Sequence, residues 1–338
     1  MPIIAVDSLV KEFHRPRRFD GPLGGLRTLV TRQHDTTRAV DGVSFAIDEG
    51  ELVGYLGANG AGKSTTIKML SGILVPSSGT VTVNGIVPWE DRERNALQIG
   101  VVFGQRTQLW WDLPLRDSLA LIGKLYRVEA ARFRSNLDRL TNLLDLEPFL
   151  QTPVRQLSLG QRMRGDLAAA MLYEPRILYL DEPTVGLDVV AKERTRQFVE
   201  ETNRESGTTI ILTTHDLADV ERLCQRIVFI SQGRVLYDGS VDELTRRYAP
   251  HRRLEITLAP DGASDGPADD GIRLDIPGAE VVSHDEARLT IRFDPARVAI
   301  ADLIGAVIAR HPVSDIAIVE PNLEEVVRRI VESGGMPP

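Results

Sequence analysis

Eight residues, Gly57-Ala58-Asn59-Gly60-Ala61-Gly62-Lys63-Ser64, restrict what this chain can fold into more than any other stretch. They match the pattern of a phosphate-binding P-loop in full. They also follow the apolar run 52–56 and precede a helix-forming run, 65–70, which is the context the pattern requires. Glycines let the backbone curl until successive N–H groups point at phosphate oxygens, and the start of the helix adds the positive end of its dipole. Lys63 supplies a point charge for β- and γ-phosphates, and Ser64 a hydroxyl for Mg²⁺.

A second motif, Ile177-Leu178-Tyr179-Leu180-Asp181-Glu182, carries two acids to the C-terminal end of an apolar run. Ligands of α/β sheets sit at that end of the strands. Asp181 can hold Mg²⁺ through its water shell, and Glu182 can polarise an attacking water. The runs 52–56, 177–180 and 209–212 read as strands buried on both faces, with a polar helix at 190–204 between the last two. That is a parallel crossover, so the fold class is α/β.

Charge and composition remove several classes of function. A formal net charge of −8 excludes general electrostatic attachment to nucleic acid. The single cysteine, Cys224, permits no internal disulfide and reads as a small buried apolar residue. No apolar run reaches the ~20 residues of a spanning helix, and the start of the chain lacks a basic region followed by an apolar one. A cytosolic chain is predicted, with any membrane role exercised through a partner.

Two stretches stand outside the α/β pattern. Residues 14–38, rich in Arg, Gly and Pro, interrupt an early connection. They read either as a solvated loop or as a basic arm, carrying Arg15, Arg17, Arg18, Arg27, Arg32 and Arg38 toward lipid headgroups or a membrane partner. After Tyr248 the composition shifts, and 261–267 is a loop by content. Strands at 254–258, 289–293 and 316–319, a helix at 296–310 and a last helix from Leu323 predict a small α+β domain. The expected division is 1–248 and 249–338.

Between the two chemical motifs lies Leu157-Ser158-Leu159-Gly160-Gln161, which resembles the signature motif of ABC ATPases. The family's other elements follow in order. Gln105 resembles the Q-loop glutamine, Val185-Gly186-Leu187-Asp188 the D-loop, and His215 the switch histidine. The resemblance covers about the first 245 residues. It implies an ABC-type P-loop NTPase cassette with a parallel sheet core, an antiparallel β subdomain and an α-helical signature subdomain. ATP and Mg²⁺ are the implied ligands. Phosphates would be held by Lys63 and the loop from Gly57 through Asn59, Gly60, Ala61, Gly62 and Ser64 to Thr65, and Mg²⁺ by Ser64, Gln105 and Asp181. Glu182 would be the general base and His215 a contact of the γ-phosphate. Ser158, Gly160, Gln161 and Asp188 would meet nucleotide across an interface, because one set of motifs requires two copies arranged head to tail.

The chain departs from the family at two points. Leu159 stands where the signature has its first glycine, which predicts altered affinity or rate with function kept. The aromatic that stacks on adenine matches Phe13 best, with Phe19 as a rival. Trp110-Trp111, close after Gln105, would either line a groove for a membrane permease or pack locally. The stretch between P-loop and signature has no long heptad repeat, unlike a chromosome-maintenance ATPase, and the single P-loop is unlike ribosome-acting factors. The tail and the ending Pro321-Asn322-Leu323-Glu324-Glu325-Val326 look like ATPases of ABC-2 type exporters. The resemblance thus implies a subunit on the cytoplasmic face of the membrane, energising export through a separate permease. Import and a non-transport regulatory role are the alternatives.

Overall fold

Branched and aromatic side chains with almost no polar interruption build the innermost layer. In chain order the first elements are β1 (Ile4–Pro16), β2 (His34–Ile47), β3 (Leu52–Leu56), α1 (Lys63–Leu70), β4 (Ser78–Val83), α2 (Arg92–Ala96) and β5 (Ile99–Phe103). There follow α3 (Leu115–Leu125), α4 (Ala130–Leu144), α5 (Leu159–Met171), β6 (Ile177–Asp181), α6 (Val189–Ser206) and β7 (Thr209–Thr213). The run ends with α7 (Leu217–Leu223), β8 (Arg226–Ser231) and β9 (Arg234–Ser240). This computed structural model describes residues 1–16, 34–104, 106–248, 251–259, 276–285, 287–309, 312–320 and 323–332.

Six strands form one sheet in the order β5-β6-β7-β3-β8-β9. The pairs β5/β6, β6/β7, β7/β3 and β3/β8 are parallel, so the carboxyl ends of β3, β5, β6 and β7 open on one edge. Register aligns those ends: Phe103 lies opposite Asp181, and Asp181 opposite Thr213. A second sheet, β2-β1-β4, is antiparallel. One core joins the two sheets, with Ile4, Ile47, Tyr55, Met69, Tyr179 and Val228 fully or almost fully buried. The strands 52–56 and 177–181 and the helix 189–206 lie where the apolar pattern predicts them.

The β1–β2 ladder continues to the pair Pro16–His34, so both flanks of the expected 14–38 loop are strand. A ribbon that projects beyond its sheet buries neither face, and its sequence therefore lacks the apolar alternation of a strand. Arg38 is engaged, its guanidinium donating to Glu12 at 2.7 Å and Asp41 at 2.8 Å. Arg17, Arg18, Phe19, Arg27 and Arg32 lie outside the described residues.

The chain divides into units Met1–Gly239 and Ser240–Pro338. The second holds α8 (Val241–Tyr248), β10 (Arg252–Leu258), β11 (Ala279–His284), β12 (Arg288–Phe293), α9 (Ile300–Ile308), β13 (Val313–Val319) and α10 (Leu323–Glu332). Its sheet runs β11-β12-β10-β13, antiparallel throughout, over a core that includes Leu254, Ile291, Phe293 and Leu303. Helix α8 groups with this unit and packs on α10. The helix expected from 296 begins at Ile300, because Asp294 turns the chain first: its carboxylate accepts from Ala296 N and its carbonyl from Arg297 and Val298. Strand β11 went unread, being an edge strand with its residues largely in solvent.

Asp219 of α7 ties the carboxyl edge of the first sheet together. Fully buried, it accepts from Thr184 Oγ1 and from Arg196 Nε of α6, both at 2.6 Å. Removing one side of a buried ion pair strands the other charge, so Asp219→Ala should destabilise the first unit by roughly 3–5 kcal/mol. Urea unfolding followed by tryptophan fluorescence measures this, and a loss below about 1 kcal/mol would refute it.

Candidate functional site

The glycine-rich turn leaves β3 and enters α1 without a side-chain cap. Gly62, the N-cap of that helix, has φ of +107°, and a Cβ there would stand 2.5 Å from the carbonyl oxygen of Ala39. At Gly57 a Cβ would meet the carbonyl of Ile230 at 2.3 Å. Both positions exclude a side chain, and the first amides of α1 have no acceptor within the helix. The ammonium of Lys63 lies back across the loop and donates to the Gly57 carbonyl at 2.6 Å. Burial pushes its pKa below the usual lysine range, while the charges of Glu182 and Asp181 pull it back up.

Opposite the loop stand the ends of β6 and β7. Oδ1 of Asp181 accepts from Thr213 Oγ1 at 2.6 Å and from Ser64 Oγ at 3.3 Å. A hydroxyl and a carboxylate, both hard oxygen donors, thus converge at the start of α1. Such a set suits Mg²⁺, which keeps several of its own waters and takes few protein ligands. Among the described residues no group of three or more His, Cys, Asp or Glu is placed to hold a metal.

Glu182 follows with φ of +59°, left-handed for a non-glycine residue. Its Oε2 lies 2.5 Å from Nδ1 of His215. A carboxylate only accepts, so Nδ1 carries the proton and Nε2 faces away from this bond. These groups line one open cleft of about 490 Å³, together with Asn59, Lys68 and Arg106. Gln105 lies outside the described residues, between Gly104 and Arg106, which both line the cleft.

The signature residues form a separate station. Ser158 caps α5 in a reciprocal box: its Oγ accepts from Gln161 N at 3.2 Å, and Gln161 Oε1 accepts from Ser158 N at 2.9 Å. The Ser158 hydroxyl proton and the amides of Leu159 and Gly160 remain available to an anion. A Cβ at Gly160 would approach Ala191 Cβ at 3.0 Å, and one at Gly186 would meet Leu159 Cδ2 at 2.9 Å. Signature and D-loop therefore touch within one chain. Asp188 caps α6 by accepting from Ala191 N at 2.8 Å.

Phe13 stands on β1 opposite Thr37 with Lys11 over its ring at 5.4 Å, and it is not among the residues that line the cleft. Sequence reasoning missed Thr213, whose hydroxyl holds Asp181. A threonine closing the strand beside the acidic pair was the available signal, since parallel strands end in register. It also missed Arg106, which no motif marks.

The family described as "ABC transporter" matches residues 40–185. The chain is 33% identical over 207 residues to the ABC transporter ATP-binding protein NatA of Bacillus subtilis (strain 168), covering 61% of this chain and 84% of that protein. It is 38% identical over 216 residues to the daunorubicin resistance ATP-binding protein DrrA3 of Streptomyces coeruleorubidus, covering 63% and 67%. Among solved structures it resembles a dimeric post-hydrolysis state of the ATP-binding cassette MJ0796 bound to ADP and Pi. That likeness has a TM-score of 0.59 and 25% identity over 70% of this chain and 98% of that one.

The left-handed backbone at Glu182 is a cost borne at the cleft. Replacing the residue with glycine removes the Cβ clash and one of two adjacent carboxylates. Glu182→Gly should therefore raise stability by about 1 kcal/mol. A shift of the urea midpoint to higher concentration is expected; a lower midpoint would show that the contact with His215 outweighs the strain.

Proposed function

This chain is a member of the ABC transporter ATP-binding protein family, an ATP-binding and ATP-hydrolysing subunit, and we propose that it works as a head-to-tail pair driving export through a separate permease. One observation carries the site assignment: Ser64 faces Asp181, Glu182 and His215 across a single cleft, and the buried Lys63 ammonium feels the charges of both acids. The free amides of the loop and the Lys63 ammonium bind the β- and γ-phosphates. Being partly desolvated, that ammonium acts in a medium where its charge counts for more than in water.

Ser64, Asp181 and Gln105 would hold Mg²⁺, which supplies charge neutralisation at the phosphate oxygens when bound. Thr213 fixes the Asp181 carboxylate through the hydrogen bond to Oδ1. Glu182 accepts a proton from the attacking water, and His215, held through Nδ1, presents Nε2 toward the terminal phosphate.

A lone copy leaves the cleft open. The start of α5 in a second copy supplies what is missing: a Ser158 hydroxyl, the amides at Leu159 and Gly160, and a helix dipole. Exposed apolar side chains around this region support the pairing. Leu159, Val185, Val189 and Val190 are all exposed, Val189 to 83%, and such clustering marks an interaction surface. The solved dimer among the structural neighbours points the same way.

Export is supported by the resistance function in the name of a relative. Among the described residues no helix is long and apolar enough to cross a membrane, which fits a subunit attached to the cytoplasmic face through its permease. Trp110 and Trp111, 41% and 50% exposed, are the proposed permease contact.

Glu182→Gln should lower ATP hydrolysis at least about a hundredfold while allowing an ATP-stabilised dimer, seen by light scattering. Lys63→Ala should instead weaken ATP binding about tenfold or more. Hydrolysis unchanged in the first variant would remove Glu182 from its role. With both tryptophans changed to alanine, basal hydrolysis should persist while transport in vesicles that hold the permease is lost. Collapse of basal hydrolysis would make the pair structural.

A further inference from the structure

Asp166 lies on α5 with its side chain 5% exposed, in a position where the surrounding helix carries Leu167, Ala168 and Ala169. Burial pushes its pKa up to about 6, against the pull of hydrogen bonds from Gln108 and Thr107 and the charge of Arg162. At neutral pH it is a buried carboxylate, an expensive group that packing alone does not call for.

Among the described residues its side-chain hydrogen bonds all go to one short segment. Oδ1 accepts from Thr107 Oγ1 at 2.8 Å and from the Gln108 backbone N–H at 3.0 Å. The Gln108 side chain returns to donate to the Asp166 carbonyl at 3.2 Å. Leu109 is buried, and a Cβ at Gly165 would stand 3.0 Å from its Cδ1, so that glycine opens the seat for it. Arg162 lies over the Trp111 ring at 5.5 Å. Arg162, Gly165 and Asp166 share one helix face by spacing, and together they grip residues 107–111.

The same helix begins at Ser158, about 12 Å away along its axis. The geometry points to Asp166 as a positioning residue: it locks the Thr107 and Gln108 segment to the helix that Ser158 opens, so that displacement at the exposed tryptophans moves Ser158 with it. A carboxylate does this where an apolar residue cannot, since one oxygen receives both a hydroxyl and a backbone amide. Asp166, Thr107 and Gln108 are not among the residues that line the phosphate cleft. This inference rests on the paired reading above.

The full-length chain tests it in a Glu182→Gln background, with MgATP as the probe. Adding Asp166→Ala should leave ATP affinity of the monomer unchanged and weaken dimerisation about tenfold. Asp166→Asn keeps an acceptor oxygen and should recover most of the loss. Amide exchange should accelerate at 107–111 and along the start of α5, with the rest of the first unit unaffected. Dimerisation unchanged by the alanine variant, failure of asparagine to recover it, or faster exchange spread evenly over the fold would each overturn the proposal. If Glu182→Gln alone forms no dimer, the pairing falls, and exchange at 107–111 then decides the latch by itself. Thr107→Val, which removes one donor from a half-buried side chain, takes the place of the alanine variant should that one not fold.

Discussion

Hydrogen bonding between parallel strands decides where the chemistry of this molecule can be. Because β5, β6 and β7 pair in register to their last residues, Phe103, Asp181 and Thr213 end on one line at the carboxyl edge of the sheet. Asp181 then finds a hydroxyl from its neighbour strand at 2.6 Å and one from α1 at 3.3 Å. A slip of one residue would turn every side chain of β6 to the opposite face. The acid would move away from Ser64, and Leu180 would take its place. Apolar burial of Ile177, Leu178, Tyr179 and Leu180 on both faces is what holds that register, so the core and the cleft are a single specification.

The next residue takes a different kind of constraint. Glu182 adopts a left-handed backbone, and its amide donates to the Thr213 carbonyl at 2.9 Å while Asp181 O accepts from Gly104 N at 2.8 Å. Those two bonds fix the peptide units on either side and leave φ little choice. Gly104 is part of the same arrangement, since a Cβ there would stand 2.6 Å from the Glu182 carbonyl oxygen. The strain thus comes from neighbouring strands ending together, and it aims the carboxylate at His215.

How much of this was legible in the sequence depended on whether a feature is local. The P-loop, the acidic pair and the signature each specify their geometry through residues adjacent in sequence, and the strands around them bury both faces and read as apolar runs. Features that need partners distant in sequence were not legible. Asp166 and Thr107 are separated by 59 residues, and nothing in either stretch names the other. The far end of the β1–β2 ribbon is exposed at His14 and at 35–38, so residues 34–38 look like loop until His14, Arg15 and Pro16 are seen opposite them. Asp294 bends the chain through its own backbone neighbours, yet helix propensity at 296–299 concealed it.

Leu159 illustrates how a departure from a family pattern can be read from contacts. A glycine there would leave the signature turn free of its own chain. The leucine instead rests against Gly186, which adopts φ of +73° and has no side chain to obstruct it. Gly160 meanwhile lies against Ala191, one turn into the helix that Asp188 caps. Signature and D-loop therefore form one packed surface within a subunit, and an apolar contact has replaced some of the freedom a glycine pair would give. Ser158 remains outside this contact, its hydroxyl proton uncommitted by the cap it accepts. The leucine restrains the turn through Gly186 and leaves the Ser158–Gln161 cap intact.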